Sequence, residues 1–143
     1  MAHYVIRVRS PKPADEVFAY LADLRNFPDW DPGTTSAKQV DGDGPAVGAR
    51  YELEASRSTF CYEVERYEPP SKIVARAPKS WISSLDTITV ETEGDGSQVT
   101  YDAELTLTGA LKLGDALLQL MFNRIGSKAA DGMARALDGI RLG

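Results

Sequence analysis

Tyr62, Asp86 and Tyr101 are the residues whose types and spacing come nearest to chemistry. Each stands at the apolar parity of an alternating stretch, so strand parity directs all three to the face that carries Phe60, Val64, Ile88, Ala103 and Leu105. A carboxylate among phenols could move a proton and stabilise an oxyanion, the two demands of an aldol condensation followed by dehydration. An inward Asp86 would be costly unless it had a partner or a function. The plainer reading, preferred from sequence, is a shifted or bulged strand that lets Asp86 reach solvent. For each tyrosine taken singly, the preferred reading buries the ring and leaves the hydroxyl in water at the sheet margin.

Other reactive residue types lead to less. His3 is the single histidine and reads as a solvated terminal residue. With it and the single Cys61, a transition-metal site has no ligand set and a disulfide no second half, so no metal or cofactor is expected. A Ser-His-Asp or Cys-His arrangement would have to use His3, and no elbow motif surrounds any serine. Asp29 and Asp31 flank Trp30, but between prolines and a glycine they read as caps and solvent-facing charges. Gly42, Gly44, Gly94 and Gly96 are turn glycines, not a phosphate cradle.

The bulk numbers set limits. At 143 residues the chain reads as one domain over 1–143, 43% hydrophobic and 26% charged. Its formal charge of −5, from 16 basic against 21 acidic residues, argues against nucleic acid as a partner. No signal core opens the chain and no apolar run approaches a membrane span, so a cytoplasmic protein without integral membrane association is expected.

The elements that must position these residues follow from pattern. Tyr4, Ile6 and Val8 alternate with Val5, Arg7 and Arg9 as an opening strand. Pro11 and Pro13 then start a helix whose apolar face is Ala14, Val17, Phe18, Leu21 and Leu24, with Asp15 and Glu16 in its first turn. NFPDWDPG ends it, with Phe27 and Trp30 where a plain loop would be polar. Strands are expected at Ala37 to Val40, Arg50 to Ser56, Thr59 to Tyr67, Lys72 to Ala77, Ile82 to Glu93 and Gln98 to Thr108, joined by turns at DGDGP, EPPS and EGDG. A helix is expected from Lys112 to Leu142, with Leu118, Phe122, Ile125, Ala129, Met133, Ala136, Leu137 and Ile140 as its stripe. Leu113, Leu117, Leu120 and Met121 make its first half apolar nearly all round, so that half is covered by loops or faces a cavity or partner.

Short loops make neighbouring strands antiparallel, and one-sided alternation leaves one sheet face to be covered. The last helix is the element long enough to cover it, which gives an α+β fold. The inner face carries Tyr51, Leu53, Ala55, Phe60, Tyr62, Val64, Ile88, Tyr101, Ala103 and Leu105. Where the bent sheet and straight helix diverge, a pocket can remain with Tyr51, Tyr62, Tyr101 and Asp86 as its polar groups.

VFAYLADLRNFPDWDPG (Val17 to Gly33), VTYDAELTLTG (Val99 to Gly109) and the long last helix resemble the polyketide cyclase/dehydrase-like group of the START/Bet v 1-like (SRPBCC) superfamily. The resemblance spans essentially the whole chain, and its most specific piece is the helix followed by FPDWDP. It implies a helix-grip fold: seven antiparallel strands round the last helix, two short helices between strands 1 and 2, and a deep hydrophobic cavity. It also implies that Trp30 and the start of the last helix, with Leu117 and Met121, lie near that cavity. Fold alone does not choose an activity.

Three readings follow. The leading one is binding or carriage of a hydrophobic small molecule, such as a lipid, isoprenoid or polyketide-like aromatic. The second is a polyketide cyclase or dehydratase that uses an inward Asp or Tyr. The third is an interaction module, such as a homodimer, that uses the apolar start of the last helix and is weakened by Leu117→Glu or Leu120→Glu.

Overall fold

The computed structural model describes residues 2–55, 58–78, 82–107 and 115–142, with backbone only for 115–118. In chain order the elements are β1 (Ala2–Ser10), α1 (Ala14–Ala22), a 3₁₀ turn (Leu24–Asn26), α2 (Phe27–Trp30) and β2 (Thr34–Asp41). Then come β3 (Arg50–Ala55), β4 (Ser58–Glu68), β5 (Lys72–Pro78), β6 (Ile82–Glu93), β7 (Gly96–Leu107), α3 (Asp115–Ala136) and β8 (Ile140–Arg141). They form one antiparallel sheet in the order β2-β3-β4-β5-β6-β7-β1-β8, with α3 lying across β1. This is the expected α+β helix-grip arrangement, with α1 and α2 between β1 and β2.

α1 begins directly after Pro13, carries Asp15 and Glu16 in its first turn, and buries Val17, Phe18 and Leu21. Its end is held by Asn26, whose side-chain amide donates to the Tyr20 carbonyl at 2.9 Å. α2 is one turn, closed by the Asp31 N–H donating to the Phe27 carbonyl at 2.8 Å. That turn drives Phe27 and Trp30 into the core, and it sets Asp31 facing inward rather than to water.

The strand count departs from seven because β8 adds a two-residue eighth, and the same segment corrects the last helix. α3 stops at Ala136, with Asp138 at a φ of 53° and the Gly139 N–H donating to the Ala134 carbonyl at 2.7 Å. That is a Schellman-type closure, for which Asp-Gly is a readable stop signal. Ile140, placed by sequence on the helix's buried stripe, lies instead in β8 and is 68% exposed. Ser10 secures the junction by donating its hydroxyl to the Leu137 carbonyl at 2.6 Å.

β6 pairs with β5 and β7 without a register break, from Ile82↔Leu107 to Glu93↔Gly96 on the β7 side. Asp86 therefore keeps its inward parity, opposite Ala103 on β7 and Ala75 on β5. The bulge expected at Asp86 is not formed; the register shifts lie in β4 between Val64 and Arg66 and in β2 between Thr34 and Ser36 and between Gln39 and Asp41. Among the described residues no helix is long and apolar enough to cross a membrane.

Candidate functional site

A cavity of about 280 Å³ lies between the inner sheet face, the α2–β2 turn and the first half of α3. That is close to the lower end of the range for small-molecule sites. Its lining includes Leu53, Phe60, Tyr62, Asp86, Tyr101, Ala103, Leu105 and Met121 from the sequence-derived candidates. The other described candidates sit apart from its wall. Val64 and Ile88 are in the packed core, and Trp30 lies behind Tyr101 with ring centroids 5.3 Å apart. Tyr51 is buried toward the 3₁₀ turn, where Asp23 and Arg25 lie. The side chain of Leu117 is outside the described residues.

The polar part of the wall is a connected network. The Tyr101 hydroxyl donates to one Asp86 oxygen at 2.7 Å, and the Ser84 hydroxyl donates to the other at 3.1 Å. Tyr62 donates to Ser84 at 2.8 Å, and Tyr4 joins through a hydroxyl contact with Tyr101. Asp86 is thus buried, inward and satisfied, which replaces the preferred expectation that it reaches solvent. The hydroxyls of Tyr62 and Tyr101 are likewise in this network rather than at a wet sheet margin. Tyr51 departs too: its hydroxyl is buried, without a hydrogen-bond partner among the described residues, and burial pushes its pKa up to about 12.

Sequence reasoning missed Asp31, Tyr4 and Ser84. From sequence, Asp31 pairs with Asp29 as a solvent-facing cap. Asp29 is exposed, but Asp31 is buried and lines the cavity. Its oxygens accept from the Gly33 N–H at 3.0 Å and the Thr34 hydroxyl at 2.9 Å. The missed signal was the turn itself: with Trp30 driven inward, the peptide that follows is carried in with it. Tyr4 and Ser84 were legible as inward positions by parity alone.

Electrostatics follow from burial. Desolvation raises Asp86 to about 7, with the nearby charge of Asp31 adding to it and the donors Tyr101, Ser84 and Tyr62 opposing it. Asp31 is raised chiefly by desolvation, against its bonds from Gly33 and Thr34. Burial pushes Tyr4, Tyr62 and Tyr101 well above the usual phenol value, so all three stay neutral donors. A carboxyl near neutrality beside neutral phenols is chemically able to exchange a proton with a bound ligand.

His3 lies away from this cavity. Its ring nitrogen is 2.8 Å from an Asp102 oxygen, with Glu104 close by, so the residue is a half-buried partner rather than a solvated end. The Gln119 side chain bonds both its backbone N–H and its carbonyl at 2.8 Å, closing this part of the β1 edge. A second, more open hollow of about 540 Å³ beside the β6–β7 turn is lined by turn residues and the Arg9–Glu93 pair. It contains no buried acid, so the cavity lined by Asp86 is the candidate site.

Comparison with known proteins agrees with the geometry. Residues 1–138 match the family described as polyketide cyclase/dehydrase and lipid transport. No curated protein gives a significant match. Among solved structures, a START superfamily protein from Mycobacterium smegmatis is similar over 96% of this chain and 98% of its own, with a TM-score of 0.77 at 11% identity. The protein TTHA0849 from Thermus thermophilus is similar over 94% and 96%, with a TM-score of 0.75 at 17% identity. The di-domain ARO/CYC protein BexL, from the BE-7585A biosynthetic pathway, is similar over 93% of this chain and 45% of its own, with a TM-score of 0.71 at 16% identity. At such identities these likenesses speak for the fold, while the family match runs from the first residue almost to the end of α3's cap; the chain belongs to the polyketide cyclase/dehydrase and lipid transport family.

Proposed function

We propose that this protein binds and carries a hydrophobic small molecule in the cavity between the sheet and α3. The observation that carries this reading is the cavity itself, a partly open and mostly apolar hollow with a few convergent polar groups. A lipid, an isoprenoid or a polyketide-like aromatic fits such a wall. The test is native mass spectrometry of freshly purified protein, followed by denaturing extraction. A stoichiometric apolar adduct is expected. A clean apo mass that also persists after incubation with lipid and aromatic extracts would count against carriage.

A second reading, a cyclase or dehydratase, draws on Asp86 specifically. Its near-neutral pKa and its bond from Tyr101 suit proton transfer to and from an enol. In that case Asp86→Asn abolishes turnover while the fold persists. Retained turnover would remove Asp86 from the chemistry.

A further inference from the structure

We infer that the ligand of this cavity carries a basic nitrogen, held as an ammonium between Asp31 and Asp86. The inference rests on the cavity being a ligand site, and it narrows the head group whatever the apolar skeleton. Its first support is a charge imbalance. Two carboxylates, 8% and 6% exposed, line one hollow, and among the described residues neither is paired with a Lys, Arg or His. Their partners are neutral donors only: the Gly33 N–H and Thr34 hydroxyl at Asp31, and the Ser84 and Tyr101 hydroxyls at Asp86, with Tyr62 close beside them. A carboxylate oxygen can accept a second bond, so each has capacity left for a donor inside the cavity.

Nothing in the fold requires these two groups to be acids. An asparagine at 31 would accept from the Gly33 N–H through its oxygen and donate its amide to the Thr34 hydroxyl once that hydroxyl turned. At 86 an asparagine would likewise accept from one hydroxyl and donate to the other after it turned. Placing two acids in a desolvated hollow is unfavourable until a proton or a cation neutralises them. An ammonium does so while filling space, and it donates to the oxygens that remain open. The rest of the wall suits it, because Tyr4, Phe27, Tyr101 and Phe122 offer ring surface to an organic cation. An organic acid would instead bring a third negative charge into the hollow.

The titratable groups facing Asp86 are Tyr62 from β4, Tyr101 from β7, Tyr4 from β1 and Asp31 from the α2–β2 turn. The phenols stay neutral, so the charge at this wall is set by the two acids and the ligand.

The experiment is calorimetric titration of the full chain with three probes of one skeleton: 2-naphthylmethylamine, 2-naphthylmethanol and 2-naphthoic acid. Above neutral pH the amine is expected to bind at least about tenfold tighter than the alcohol, and the acid at least about tenfold weaker. Lowering the wild type to about pH 5 protonates Asp86 and is expected to lower the amine-to-alcohol ratio. Asp31→Asn and Asp86→Asn, checked for folding by circular dichroism, are expected to lower the same ratio. The pH series on wild type decides the matter if either variant fails to fold. Alcohol binding as tightly as amine overturns the charge inference and leaves the cavity reading standing. Acid binding best also overturns it. Failure of all three probes to bind takes down the cavity reading and this inference together.

Discussion

A carboxyl that titrates near neutrality makes the protein's stability depend on pH in a particular sense. Folding raises Asp86 from 3.8 to about 7, so the folded chain holds this proton more tightly than the unfolded chain. Between those values the folded state binds more protons, and stability falls as pH rises. The full loss is about 4 kcal/mol at roughly 1.4 kcal/mol per unit, reached above pH about 7. Asp31 acts in the same sense. We therefore expect the wild type to melt at lower temperature at pH about 8 than at pH about 5, and Asp86→Asn to flatten much of that difference. A melting temperature that does not fall over this range would mean that Asp86 is not held as described. This residue also marks where sequence reading went astray. Parity placed Asp86 inward correctly, but the cost of burying an acid made a bulge more attractive. What parity could not display was that Tyr101, Ser84 and Tyr62, from three different strands, meet at the same carboxyl.

At the scale of elements, two helical glycines fix how α3 lies. A Cβ on Gly132 would come within 1.9 Å of the Trp30 carbonyl oxygen, and a backbone atom there cannot step aside. Gly132→Ala should lever α2 off α3 and cost at least about 3 kcal/mol, measured by denaturant unfolding. A Cβ on Gly126 would meet the Tyr4 ring at 2.8 Å, and a ring can turn. Gly126→Ala should thus be milder, about 1–2 kcal/mol, and should move Tyr4 away from Tyr101 at the cavity wall. Equal costs for the two variants would contradict this assignment. The strands were legible because period-two alternation survives without knowledge of partners, and β6 and β7 follow it for nearly their full lengths. The end of α3 was read too far because Ala136, Leu137 and Ile140 continue the helical spacing. Asp138-Gly139 broke that spacing through backbone conformation, which hydrophobic pattern does not record.

For the whole molecule, the question is whether the hollow is used. The eight-stranded sheet and α3 border a hollow of about 280 Å³, and α3 also leaves Leu120 at 66% and Met121 at 55% exposure. Of the apolar residues at the start of that helix, the described Met121 lines the cavity and Leu120 lies on the surface, and we propose a dimer through Leu120 that Leu120→Glu would weaken, read by sedimentation. The family and fold were legible from the motif around Trp30 and the element order. The cavity's depth was not, since it depends on where α3 and the sheet part company and on which side chains fill the gap. Ala103, at the centre of β7 and on the cavity wall, offers the most direct test. Titration of 2-naphthylmethanol into the wild type and into Ala103→Phe compares the open hollow with a filled one. The account predicts that the larger side chain weakens binding at least about tenfold while the fold persists by circular dichroism. Undiminished binding to folded Ala103→Phe would contradict it and place the ligand elsewhere, with the exposed Leu120 and Met121 face as the first surface to examine.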